Sequence, residues 1–86
     1  MAKIDVTLSG HAQDVLIERG ISEHWVWSTI ATPDSVWQGE DGNMHYAKAI
    51  AERESRILHV VVNASVSPKR VVTVFFDRRL KGKLPQ

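Results

Sequence analysis

The sequence predicts an α+β domain: two N-terminal helices packed on one face of a mostly antiparallel four-stranded sheet, with a short extra strand at the N-terminus. Three observations predict it. Apolar residues recur at helical three-and-four spacing up to Ile30, the period changes to two after Pro33, and turn signals separate the later apolar runs. At 86 residues with 43% hydrophobic content, the chain is one domain's worth, spanning residues 1–86. A core this small leaves no room for a large internal cavity, so any site is expected in a surface groove.

The elements follow in order. "KIDVTL" alternates and predicts a strand from Ile4 to Leu8. Ser9 is placed to cap a helix whose stripe at three-and-four spacing is Ala12, Val15, Leu16 and Arg19. Gly20 ends that helix in the left-handed conformation, and Ile21 then falls where it packs back on Leu16. Ser22 opens a second helix through "EHWVWSTIA", and Pro33 stops it because the residue before a proline is pushed out of the helical region. Trp25 and Trp27 lie about 200° apart around that helix, so one of them is expected to be partly exposed. "SVWQGEDGNMHYAKAIA" then holds two strands around Asp41-Gly42, a dipeptide suited to a two-residue hairpin turn. "RILHVVVNA" and "RVVTVFFDR" supply two more, and the tail "RLKGKLPQ" is basic.

Register follows from the loop lengths. A two-residue turn sets Trp37 opposite Tyr46, an even next loop sets Lys48 opposite His59, and an odd connection sets Phe75 opposite His59 and Thr73 opposite Val61. One face then reads Val36, Ala47, Ala49, Leu58, Val60, Val62, Val72, Val74 and Phe76, and should receive the helices. The other reads Trp37, Tyr46, Lys48, Ile50, His59, Val61, Thr73, Phe75 and Asp77, and has the mixture of a binding face.

Composition narrows the function classes. The absence of cysteine excludes disulfides and thiolate metal sites. The opening residues hold no apolar run of signal-peptide or membrane-span length, so a cytoplasmic protein without membrane contact is expected. No glycine-rich phosphate loop is present and "GEDGN" reads as the hairpin, so no nucleotide cofactor is expected. No pair among His24, His45 and His59 has the spacing of a zinc site, so no metal is expected. Net charge is +1, but residues 1–40 carry −4 and residues 41–86 carry +5. The basic half suits RNA or an acidic partner.

The segments "GHAQDVLIERGIS", "HYAKAI", "ILHVVV" and "VVTVFFDRRLK", in that order, resemble the prokaryotic domain of unknown function family 4258, grouped with the RelE-like toxins of the barnase, EndoU, colicin and RelE fold. The resemblance implies a RelE-like sheet with two N-terminal helices and metal-independent RNA cleavage, with the ribosome and an antitoxin-like protein as partners. Members often carry an arginine one turn after the helix-start histidine; this chain has Val15 there, so no role carries over to that position.

Metal-free cleavage through the RNA 2′-hydroxyl needs a base, a cation for the phosphate and an acid for the leaving oxygen. Lys48, His59, His11, Thr73 and Arg78 are the candidate catalytic residues, and Lys48, His59, Thr73 and Arg78 are expected in one groove. Trp37 and Tyr46 are candidates for stacking on bases, and Arg56, Arg79 and Lys81 for holding the backbone. His11, near a helix N-terminus that disfavours imidazolium, suits either a neutral base or a structural bond to a sheet-edge carbonyl. The alternative to an enzyme is a non-catalytic RNA- or protein-binding module of the same fold.

Overall fold

The structure, a computed structural model, describes residues 6–77. Its elements are β1 (Val6–Leu8), α1 (Gly10–Arg19), α2 (Glu23–Ala31), β2 (Ser35–Gln38), β3 (Met44–Ile50), a 3₁₀ turn (Ala51–Arg53), β4 (Arg56–Asn63) and β5 (Lys69–Phe76). They form a five-stranded sheet in the order β1-β5-β4-β3-β2. All pairs are antiparallel except β1 with β5, which is parallel, so the N-terminal strand joins the main sheet as its fifth member.

Local chemistry sets the helix pair. The Ser9 hydroxyl accepts the Ala12 N–H at 3.0 Å, and the Ser9 N–H donates to the Val71 carbonyl, so one residue caps α1 and fastens it to β5. At the other end Gly20 sits at φ 64°, ψ 36°, and the Ile21 N–H reaches back to the Leu16 carbonyl at 2.9 Å. Ile21 and Leu16 are both buried in the core, as the Gly20 stop requires. Of the expected α1 stripe, Ala12, Val15 and Leu16 are buried and Arg19 is exposed. Ser22 occupies the N-cap position of α2, but its side chain makes no capping bond. The Thr32 hydroxyl and N–H both donate to the Ser28 carbonyl where the helix stops before Pro33.

Both helices cover one face of the sheet. Ala12, Leu16, Ile21 and Val26 pack on Ile50, Leu58, Val60, Val62, Val71 and Val74 in one apolar cluster. Trp25 and Trp27 are both half-buried at its margin. Trp25 meets the Phe76 ring edge-on, and the Arg53 guanidinium lies 5.5 Å from the Trp25 ring centroid and 5.6 Å from that of Phe76. The Trp27 indole N–H donates to Glu23 at 3.0 Å.

Two loop lengths differ from expectation. The β2–β3 connection is five residues, 39–43, with Gly42 at φ 83°, so Trp37 faces His45 and not Tyr46. The β3–β4 connection, 51–55, also has five residues, so Ala47 and not Lys48 faces His59. Because both loops are odd, the two shifts cancel beyond β3. Strands β2, β4 and β5 keep the expected faces, and β3 alone is inverted. Tyr46, Lys48 and Ile50 therefore belong to the helix-covered face, and Ala47 and Ala49 to the other. A β-bulge between Val61 and Val62 makes a second correction: Val71 takes the buried position expected of Val72, which is only half-buried.

Candidate active site on the sheet face away from the helices

The sheet face away from the helices carries Trp37 on β2, His45 on β3, His59 on β4 and Phe75 on β5. His59 stands opposite Phe75, and His45 is its diagonal neighbour across the β3–β4 ladder. Aromatic rings fill the gaps between them. Trp37 stacks on His45 at 5.4 Å between centroids with planes 16° apart, and lies 5.2 Å from His59, which in turn lies 4.7 Å from Phe75.

Within that cluster the polar groups form one continuous chain. Asp41 Oδ1 lies 3.2 Å from His45 Nε2, His45 Nδ1 lies 2.8 Å from His59 Nε2, and His59 Nδ1 lies 3.2 Å from Asp77 Oδ2. Burial grades along it. The Asp77 and His59 side chains are 4% and 8% exposed, His45 is 15% exposed and Asp41 is 49% exposed, so the chain runs from the interior to solvent. It emerges in a shallow groove lined by Trp37, Gln38, Gly39, Glu40, Asp41, His45 and His59.

The hairpin loop holds the outer end. The Asn43 N–H donates to Asp41 Oδ1 at 2.9 Å and the Asn43 side-chain amide donates to Oδ2 at 3.2 Å. The Asn43 backbone N–H first, and His45 second, hold the Asp41 carboxyl below its ordinary value. Gly39 packs so close to the His45 ring and to Asp41 Oδ1 that a Cβ there would collide with both.

The chain's donor count is informative. Three hydrogen bonds need three hydrogens, and the Asp41 carboxylate accepts from Asn43, so it receives rather than gives at His45. An ionised Asp41 only accepts, so His45 Nε2 carries the hydrogen of that contact and donates to Asp41. The outermost histidine nitrogen is a proton donor facing the groove.

Of the expected site residues, the structure brings His59, Trp37 and Thr73 to this face, with Thr73 opposite Val61. It takes Lys48 and Tyr46 to the other. The Lys48 ammonium donates to the Thr32 carbonyl at 2.8 Å and to the Thr32 hydroxyl at 3.0 Å, which places a cation at the C-terminus of α2; Lys48 and His59 do not share a groove. Tyr46 packs against the helix-side core. His11 is exposed on the helix layer, across the sheet from His59, and its ring meets no hydrogen-bond partner among the described residues. Arg56 is exposed beside Glu52, Arg53 and Glu54, at the start of β4. Arg78, Arg79 and Lys81 lie outside the described residues.

Asp41, His45, Phe75 and Asp77 were not among the expected site residues. The parity of the "GEDGN" loop was the signal that would have found His45, because a five-residue loop turns it toward His59. Among the described residues no three histidine, aspartate or glutamate side chains converge as a metal site would require; the four groups form a line. No helix of the described residues is long and apolar enough to cross a membrane.

A family model, Domain of unknown function (DUF4258), matches residues 8–76, a span that runs from the end of β1 to the end of β5 and contains the whole chain of polar groups except Asp77. No curated protein and no solved structure matches the sequence.

Proposed function

The chain belongs to the DUF4258 family, and from that premise we propose that it is a toxin-type, RelE-like, metal-independent ribonuclease whose proton-transfer group is the His45–His59 pair. The observation that carries this reading is the hydrogen-bonded line Asp41–His45–His59–Asp77, which ends at a donor nitrogen in an open groove beside an aromatic wall. A buried carboxylate orients one imidazole, that imidazole orients a second, and the second meets solvent. This is the arrangement in which a histidine delivers a proton and is reloaded from behind.

In the proposed reaction the RNA 2′-oxygen attacks the adjacent phosphorus and the bond from phosphorus to the 5′-oxygen breaks. His45 Nε2 gives its hydrogen to that leaving oxygen. A carboxylate at the rim, Glu40 or Asp41, takes the hydrogen of the 2′-hydroxyl. The products are a 2′,3′-cyclic phosphate and a 5′-hydroxyl. The Trp37 indole supports an unpaired base, a contact worth about 1–3 kcal/mol where stacking is complete. Arg78, Arg79 and Lys81 follow Asp77 in sequence and are proposed to hold the backbone phosphates.

A second reading has its own support. Glu40 and Asp41 make the described rim of the groove acidic, which favours a basic protein segment over RNA. Inducing the wild-type chain and its His45→Gln variant in cells separates the two. Growth arrest with loss of RNA in the wild type alone supports the ribonuclease; unaltered growth and RNA in both supports the binding module.

A further inference from the structure

The outer end of the polar line already holds an anion. His45 Nε2–H faces the groove, and in this structure its acceptor is the protein's own Asp41 carboxylate, carried on the hairpin loop. The contact, at 3.2 Å, is longer than the roughly 2.7–2.9 Å of a strong charge-assisted hydrogen bond. It is also half open to water, where an ion pair contributes little. By contrast, the link behind it, from His45 to His59, is short at 2.8 Å and lies under the Trp37 ring. The His45–His59 link is thus the shortest of the line; the two end contacts share one length, 3.2 Å, and the outer one differs from the inner in being exposed to solvent.

We infer that His45 Nε2 is an anion site for a phosphate or phosphodiester oxygen, occupied in the free protein by Asp41, which an incoming phosphate oxygen displaces. This deepens the ribonuclease reading and rests on its phosphate-bearing substrate, but phosphate binding is separable from cleavage. Among the described residues, the groups facing the site can be named. Asp41 and Glu40 face it from the hairpin loop, His59 from β4, and Asp77 stands behind His59 after β5. Trp37 from β2 adds an uncharged wall.

The loop is built to let go. Asp41 Oδ1 is shared between the Asn43 N–H and His45, while Oδ2 takes the Asn43 side-chain amide, so the loop has a hold on the carboxylate through Oδ2 that does not involve the ring. Gly39 leaves the space in which the His45 ring sits against the loop, and closure with any larger residue there would require the ring to move. The hairpin acts as a cover, with a carboxylate in the position of the substrate's anion.

The test is side-chain ¹⁵N spectroscopy of the histidines in the full-length wild-type chain and in Asp41→Asn, titrated with inorganic phosphate. In the free wild type, His45 Nε2 should carry a hydrogen. Phosphate should shift that nitrogen together with the Gly39, Gly42 and Asn43 amides, and should bind Asp41→Asn about two- to fivefold more tightly, the range of exposed ion pairs. A His45 Nε2 without hydrogen in the free protein overturns the inference, and this needs no variant. So does phosphate that leaves the ring nitrogen unmoved, or that binds Asp41→Asn no better than the wild type. Phosphate bound at His45 without RNA cleavage upholds the anion site and counts against the ribonuclease alone; cleavage without phosphate at His45 does the reverse.

Discussion

The imidazoles of His45 and His59 meet across the β3–β4 ladder with Nδ1 of one 2.8 Å from Nε2 of the other, although neither residue faces the other in register. The contact is diagonal, and it joins a half-exposed loop carboxylate to a buried one. Because His59 links two members of the line and is itself buried, it contributes to stability as well as to chemistry.

Replacing His59 with alanine removes a buried ring together with hydrogen bonds to His45 and Asp77. The expected loss is about 2–4 kcal/mol, from the vacated volume and the weakened support of the Asp77 carboxylate. Urea unfolding of the two proteins measures it. A change below about 0.5 kcal/mol would mean that neither contact is held in solution.

Lys48→Met should behave differently. Its ammonium meets the C-terminal carbonyl of α2, on the helix side of the sheet, so its removal should cost about 0.5–1 kcal/mol and leave the His45 and His59 ring nitrogens unmoved. The same unfolding and ¹⁵N measurements check both parts, and a shift of the ring nitrogens would place Lys48 back at the site.

These two residues also show how far the sequence could be read. The helix pair was legible because Ser9, Gly20 and Pro33 each act locally: a cap, a left-handed stop and a helix break depend on neighbours along the chain. The faces of β2, β4 and β5 were legible from alternation, although burial does not follow it throughout: β4 is buried on both faces and Val36, on the helix side of β2, is exposed. Strand β3 was not, since "HYAKAI" is amphiphilic in both registers and its direction depends on the parity of two loops. One of those loops turns through Glu54 and Ser55, at φ 57° and 61°, where glycine or asparagine is the usual sign of such a turn. With no such sign, the loop's length could not be read, and the site inherited the error: Lys48 was placed opposite His59, where Ala47 stands, and His45 on the diagonal was missed. The bulge that exchanged Val72 for Val71 leaves no mark in a run of valines.

Gly39→Ala tests the packing of the loop on the ring. The added methyl would collide with the His45 ring and Asp41 Oδ1, so it should displace His45 and lengthen or break the bond to His59 while the far-ultraviolet circular dichroism stays that of the wild type. Unchanged ring ¹⁵N shifts in this variant would show that the loop does not close on His45.

Acid should loosen the same loop. The folded protein holds the Asp41 carboxyl below its ordinary 3.8, through Asn43 and then His45, so Asp41 contributes stability above that value and loses it as pH falls through the lower, folded one. The Asn43 amide resonance should therefore titrate below pH 3.8 in the wild type. Asp41→Asn should lack that step and lose less stability in the same acid window. A wild-type titration at or above the ordinary value contradicts the assignment.

The most direct measurement of the central claim is the chemistry of the RNA ends. Purified wild-type chain, alone in EDTA or with ribosomes in magnesium buffer, should convert single-stranded RNA to fragments ending in 2′,3′-cyclic phosphate. His45→Gln should be slower by about 10²–10³-fold, the loss expected of a general acid, and Lys48→Met should match the wild type. Absence of cyclic phosphate from the wild type under both conditions, or equal rates in His45→Gln, would contradict proton transfer through the His45–His59 pair.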